Sequence, residues 1–151
     1  MRAPSLVVCI LLAAFTAASI TAAPPADLLT AADVEKASGL TELRKVPKDQ
    51  SKGAGGDLNF AGKDGKLVAI VMISTSMFDF WKKQYAKSCE PVSGVWAEAF
   101  RTKAGAFPSY LIFRKGSTGV WIQSMGWKKD GSSTLSPAQL ADLARVAASR
   151  L

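Results

Sequence analysis

Any chemistry in this chain is built without histidine, because the sequence contains none. That excludes histidine-based acid–base catalysis, Ser-His-Asp and Cys-His nucleophiles, and histidine-containing zinc sites. Four kinds of residue remain to be weighed. They are a thiol, scattered carboxylates, a glycine-rich loop, and aromatic residues interleaved with bases.

Cys89 follows Lys82, Lys83 and Lys87. Basic neighbours lower a thiol pKa, but a helix C-terminus has the wrong dipole sign for a thiolate. No histidine is present to activate it. A structural thiol, or one paired with a second chain to give a homodimer, is expected before a catalytic one. The carboxylates to consider are Asp57, Asp64, Glu90 and Glu98. Two acids at the right separation hydrolyse glycosidic bonds. No spacing here forces such a pair, Asp64 suits a turn, and Asp57 begins a strand. The loop Lys52–Asp57 (KGAGGD) lacks the Gly-Lys-Ser/Thr ending of a phosphate loop and precedes a strand rather than a helix. It reads as a flexible connection.

The fourth set is Trp96, Tyr110, Trp121 and Trp127 with Arg101, Arg114, Lys128 and Lys129. Aromatics among bases bind sugar polymers, anionic ligands or single-stranded nucleic acid. They also pack cores, which is their commoner use. Trp96, Arg101, Tyr110, Arg114, Trp121, Trp127 and Lys128 form the candidate binding set. No metal or cofactor site is read from the sequence.

The N-terminus places a positive start before SLVVCILLAAFTAASI and then TAAPPAD. This is the pattern of a secretory signal peptide over residues 1–22, cut after Ala22 with Ile20 at −3. Val7 and Val8 before Cys9 do not suit a lipoprotein signal. Residues 23–151 then form one α+β domain, without an integral membrane span and of ordinary domain size. Losing Arg2 leaves 18 Lys and Arg against 12 Asp and Glu, a charge of +6. Such a balance suits anionic surfaces, or solubility alone. Export argues against nucleic acid as the partner.

The elements that must position these residues start with a hairpin over residues 56–74. Asp64-Gly65 is a type I′ signal between apolar runs. A two-residue loop there pairs Ala61 with Val68, Phe60 with Ala69, and Leu58 with Val71. Both faces of the second strand are apolar, so layers are expected above and below it. Thr30 is the expected cap of a short helix ending at Gly39, with Asp33 at N3 and a Leu29–Val34 staple. Residues 41–46 suggest an edge strand. Ser76 is the expected cap of a helix whose stripe is Met77, Phe78, Trp81 and Tyr85, with Asp79 and Lys83 paired outside. That helix is expected across the first hairpin and to end at Cys89-Glu90-Pro91. Residues 95–101 read as a strand or turn, and residues 110–114 and 120–125 as a second hairpin around residues 116–119. Ser136, Pro137 and Gln139 open a final helix with a Leu135–Leu140 staple and a stripe at Leu140, Leu143, Ala144, Ala147 and Leu151.

The order LLTAADVEKASGL, a Gly-rich loop into GDLNFA, a Phe-Trp helix, PVSGVWAEAF, YLIFRKG and SPAQLADLARVAASRL resembles small secreted bacterial proteins of uncharacterised function with a PsbP-like α/β/α sandwich. The resemblance implies an antiparallel sheet with helices on both faces, and a binding or accessory module with no catalytic residues to carry over. The expected function is an exported, periplasmic or extracellular, non-enzymatic module of the cell envelope. Its partner would be an envelope protein or an anionic ligand. Attachment to anionic envelope surfaces or polymers is the alternative, and a small carboxylate-based hydrolase the third reading.

Overall fold

The computed structural model describes residues 27–50, 56–95, 98–103, 108–126, 128 and 132–151. The expected signal peptide, Trp96, Trp127, Lys129 and most of the glycine-rich loop lie outside them. The chain order is α1 (Ala31–Ser38), β1 (Arg44–Val46), β2 (Leu58–Ala61), β3 (Leu67–Ser74), α2 (Phe78–Tyr85), β4 (Cys89–Pro91), β5 (Glu98–Thr102), β6 (Tyr110–Lys115), β7 (Thr118–Ser124) and α3 (Pro137–Arg150). All seven strands join one antiparallel sheet in the order β1-β2-β3-β7-β6-β5-β4. The α+β expectation holds.

The capping boxes at Thr30/Asp33 and Ser136/Gln139 both form, and α1 ends on Gly39 in the left-handed region. The first hairpin differs from the two-residue loop expected at Asp64-Gly65. Gly62 pairs with Lys66, so the loop is Lys63-Asp64-Gly65, with Gly65 at φ 76°. A three-residue loop of this kind places glycine at its left-handed third position. Ala61 therefore faces Leu67, not Val68, and Val68 becomes the extra residue of a bulge. The bulge restores the register at Phe60–Ala69 and Leu58–Val71, as the sequence implies. It also turns Val68 onto the same side as Ala69 and Val71.

Strands β6 and β7 carry the two layers on alternate residues. Leu111, Phe113, Val120 and Ile122 join the large core with Leu140, Leu143, Ala144 and Ala147 of α3. Tyr110, Ile112 and Trp121 join a smaller core with Phe78 and Trp81 of α2. The α3 stripe is rich in alanine, which lets its backbone approach the sheet closely. Trp121 and Ile122 point to opposite sides of β7, yet both are buried. Each lies under a different helix.

The start and position of α2 are corrected. Ser76 does not cap it. Met77 occupies the cap position without a side-chain bond, and Ser74 Oγ accepts from the amides of Ser76 and Met77. Asp79 pairs with Arg114 instead of Lys83. The helix also lies over β6 and β7 rather than across the first hairpin. The reason is local. Ser74 pairs with Gly119 of β7, and the chain turns up from Ser74 to set Phe78 directly over Gly119. Cys89–Pro91, expected only to end the helix, is a strand paired with β5. The second hairpin closes on the two residues Gly116-Ser117, with Lys115 facing Thr118.

Helices α1 and α3 are fastened by Arg150, whose guanidinium holds both carboxylate oxygens of Asp33 at 2.6 and 3.0 Å. Arg150, assisted by Thr30, pulls the Asp33 carboxyl down to about 2. A carboxyl that titrates lower in the folded chain stabilises it above the unfolded pKa and loses that effect as pH falls. Arg150→Ala is expected to cost about 1 kcal/mol at neutral pH, after allowance for solvent screening. The gap to the wild type should narrow as pH drops from about 4 to about 2, leaving the part due to the Arg150 bonds to the Asp27 and Leu28 carbonyls. Urea unfolding of both proteins across that range checks it, and a gap independent of pH would contradict it.

Candidate functional site

The layer over β6 and β7 contains most of the chemistry-bearing residues. Helical spacing puts Phe78, Trp81 and Tyr85 on the inner side of α2. Trp121 receives Trp81 and Tyr85 edge-on, with centroids at 5.5 and 5.0 Å, and Tyr110 at 4.7 Å. Phe78 meets Phe100 at 5.8 Å, and the Arg114 guanidinium lies 4.7 Å over the Phe78 ring. Trp121 Nε1 is buried and has no hydrogen-bond partner among the described residues.

A second set of contacts ties the helix to the sheet through charge. Glu98 of β5 accepts from Arg114 at 2.9 Å and from Lys82 of α2, and Arg114 also reaches Asp79 at 3.3 Å. Lys82, with help from Arg114, holds the Glu98 carboxyl below its ordinary range. An acid kept ionised in this way does not serve as a proton donor near neutral pH. On the other side of β5, Arg101 binds Glu90 at 2.8 Å.

Cys89 is a half-buried free thiol, with Sγ 3.6 Å from Tyr110 Oη. Burial pushes the Tyr110 phenol up to about 12, and the adjoining Cys89 adds to the effect. Tyr110 therefore stays protonated near neutral pH and offers the thiol no base. Among the described residues, no group of three or more His, Cys, Asp or Glu is placed to hold a metal ion. No helix among them is long and apolar enough to cross a membrane.

The candidate binding set does not assemble as one exposed surface. Tyr110 and Trp121 are about 95 % buried as packing residues under α2. Arg114 joins them but is engaged by Glu98 and Asp79. Arg101 alternates onto the opposite side of the sheet. Lys128 is exposed in the loop after β7, where its backbone donates to Ser132. Trp96 and Trp127 lie outside the described residues.

What the fold does assemble is a slot of about 330 Å³ between the end of α2 and the β4–β5 margin. Lys82, Ala86, Cys89, Glu90, Pro91, Glu98, Ala99 and Phe100 line it. Its size is at the small end of ligand cavities. The walls are chiefly apolar, with the Lys82–Glu98 pair at one side and the thiol at another. Pro91 has no amide hydrogen, which blunts the outer edge of β4 against a further strand. Clefts of about 290 and 340 Å³ border α3, and Asp142 lines both.

Cys89 with its basic neighbour Lys82, and Glu90 and Glu98, stand out in the sequence, whereas Ala86 and Phe100 do not, nor does the Lys82–Glu98 pair. The available signal was the alternation of Glu98, Phe100 and Thr102, which puts them on the side opposite Ala99 and Arg101. Comparisons with protein-family models, curated proteins and solved structures gave no match.

Proposed function

We propose that the protein is an exported, non-enzymatic binding or accessory module of the cell envelope, and that the slot between α2 and β4–β5 takes its ligand. One observation carries the reading. The slot is apolar in most of its wall, and its charged groups are already matched, Lys82 with Glu98 and Glu90 with Arg101. Such a site favours an apolar body carrying a small polar group that can share the Lys82–Glu98 pair. The carboxylates act as fasteners, which sets the hydrolase reading aside. Export is supported by the pattern of residues 1–22, and kinship with PsbP-like sandwiches by the order of landmarks along the chain.

A thermal-shift panel of aryl and short alkyl carboxylates, amines and their neutral counterparts tests the slot. A ligand at a hundred times its Kd contributes about 2.7 kcal/mol. For a domain of this size that raises Tm by about 10 °C. Ala86→Trp, placed at the exposed wall, is expected to abolish the shift while leaving the fold intact. A shift that survives Ala86→Trp, or no shift across the panel, would count against the slot.

A further inference from the structure

The outer side of α2 has no function in the packing just described. Phe80 is 56 % exposed and Met77 38 %, the two largest apolar exposures near this helix. They are three residues apart and so are neighbours on one side. Lys83 and Gln84 continue the same side at i+3 and i+4 from Phe80, and Lys87 follows in the short 3-10 turn that succeeds the helix. All three are exposed. Neither lysine has an acidic partner among the described residues, and Lys103 adds a third ammonium, which donates to the Lys87 carbonyl at 3.1 Å.

The local charge is one-sided. Around α2 stand Lys82, Lys83, Lys87, Lys103 and Arg114 against Asp79 and Glu98, an excess of three positive charges. Both carboxylates are taken by Lys82 and Arg114. On the opposite layer the helices themselves are balanced, since α1 and α3 carry Lys36, Arg145 and Arg150 against Asp33, Glu35 and Asp142, while Arg101 and Lys115 of the sheet also face that side and Arg101 is matched by Glu90. The α2 face therefore joins a local basic excess to an exposed apolar tip.

We infer that the outer side of α2 docks on an anionic lipid surface, with Phe80 and Met77 entering the headgroup boundary and Lys83, Lys87 and Lys103 on the lipid phosphates. An interfacial helix combines these two elements, an apolar edge and flanking bases. A soluble acidic polymer would satisfy the lysines and leave Phe80 without a role. This inference goes beyond the slot and does not depend on it.

The test is cosedimentation of the purified protein with vesicles of phosphatidylglycerol mixed with phosphatidylcholine, and with phosphatidylcholine alone, at low and high salt. Binding is expected only to the anionic vesicles and should weaken as salt rises. Phe80→Ala should lower the partition about tenfold. Lys83→Gln with Lys87→Gln should lower it about thirtyfold, given the attraction each base has for an anionic membrane. Leu40→Ala, a control at a residue 39 % exposed just after α1, should bind as the wild type does. Circular dichroism verifies that each variant is folded. The inference is overturned by no binding at low salt, by equal binding to both vesicles, by Phe80→Ala binding like wild type, or by Leu40→Ala losing as much as Phe80→Ala.

Discussion

Gly119→Val is expected to destabilise the fold by about 3 kcal/mol, at the upper end of overpacking costs. A Cβ at this position would fall 2.9 Å from Phe78 Cβ and 3.2 Å from the Ser74 carbonyl oxygen. Neither neighbour is the free end of a flexible chain. Phe78 Cβ is fixed to the first turn of α2, and Ser74 is held in the β3–β7 ladder. The helix must lift or β7 must bend. Lifting α2 separates Phe78 from Phe100 and pulls Arg114 from its seat over the ring. The edge contacts of Trp81 and Tyr85 with Trp121 loosen in the same movement. Urea unfolding and near-ultraviolet circular dichroism of the aromatic cluster check this. A variant with wild-type stability and an unchanged aromatic spectrum would mean that α2 does not approach β7 this closely.

Phe113→Ala is expected to cost more, about 3–5 kcal/mol, because it empties a filled position in the large core. Phe113 is fully buried, faces Val120 and Ala99 across its two ladders, and packs in the α3 layer. Ordinary domains have about 5–15 kcal/mol in total, so this one change removes a large share. Ile112→Val, one residue along and under α2, should cost only about 1 kcal/mol. Urea midpoints for the two variants measure the difference. Equal losses would mean that Phe113 has collapsed neighbours able to refill its site.

Legibility from the sequence followed the range of the interactions. Both capping boxes were readable because Thr30 and Asp33, or Ser136 and Gln139, satisfy backbone donors within one turn. The hairpins were readable because their turns are local, although the bulge at Val68 was not. That bulge reflects the choice of a three-residue loop at Gly65, and the same Asp-Gly pair serves either geometry. Strand β4 was hidden because three residues ending in proline carry no usable period. Its identity comes from pairing Glu90 with Arg101 eleven residues away. The seat of α2 was misplaced for a related reason. Nothing in residues 67–85 states that β7 inserts next to β3.

The candidate site was the least legible part. Tyr110 and Trp121 were grouped with arginines and lysines elsewhere in the sequence and so suggested a surface, although Leu111, Val120 and Ile122 flank them. The sheet is covered on both sides at β6 and β7, so either phase of the alternation is buried there. The charge cluster that fastens α2 unites Asp79, Lys82, Glu98 and Arg114 from three elements. Only folding brings those groups within reach of one another. Phe80 and Lys83 were spaced for one outer side from the start, whereas Met77, expected on the inner stripe, is instead 38 % exposed at the cap of α2. That outer side acquired meaning once Phe78, Trp81 and Tyr85 were fixed on the inner side.

The central claim is that a ligand enters the slot beside Cys89, and the alkylation rate of that thiol is its most direct measure. Cys89 lines the slot, so an occupant should shield it from iodoacetamide. With a panel ligand at about a hundred times its Kd, alkylation should slow by roughly a hundredfold, in proportion to the empty fraction. A ligand that raises Tm but leaves the Cys89 rate unchanged would place its site elsewhere and contradict the claim.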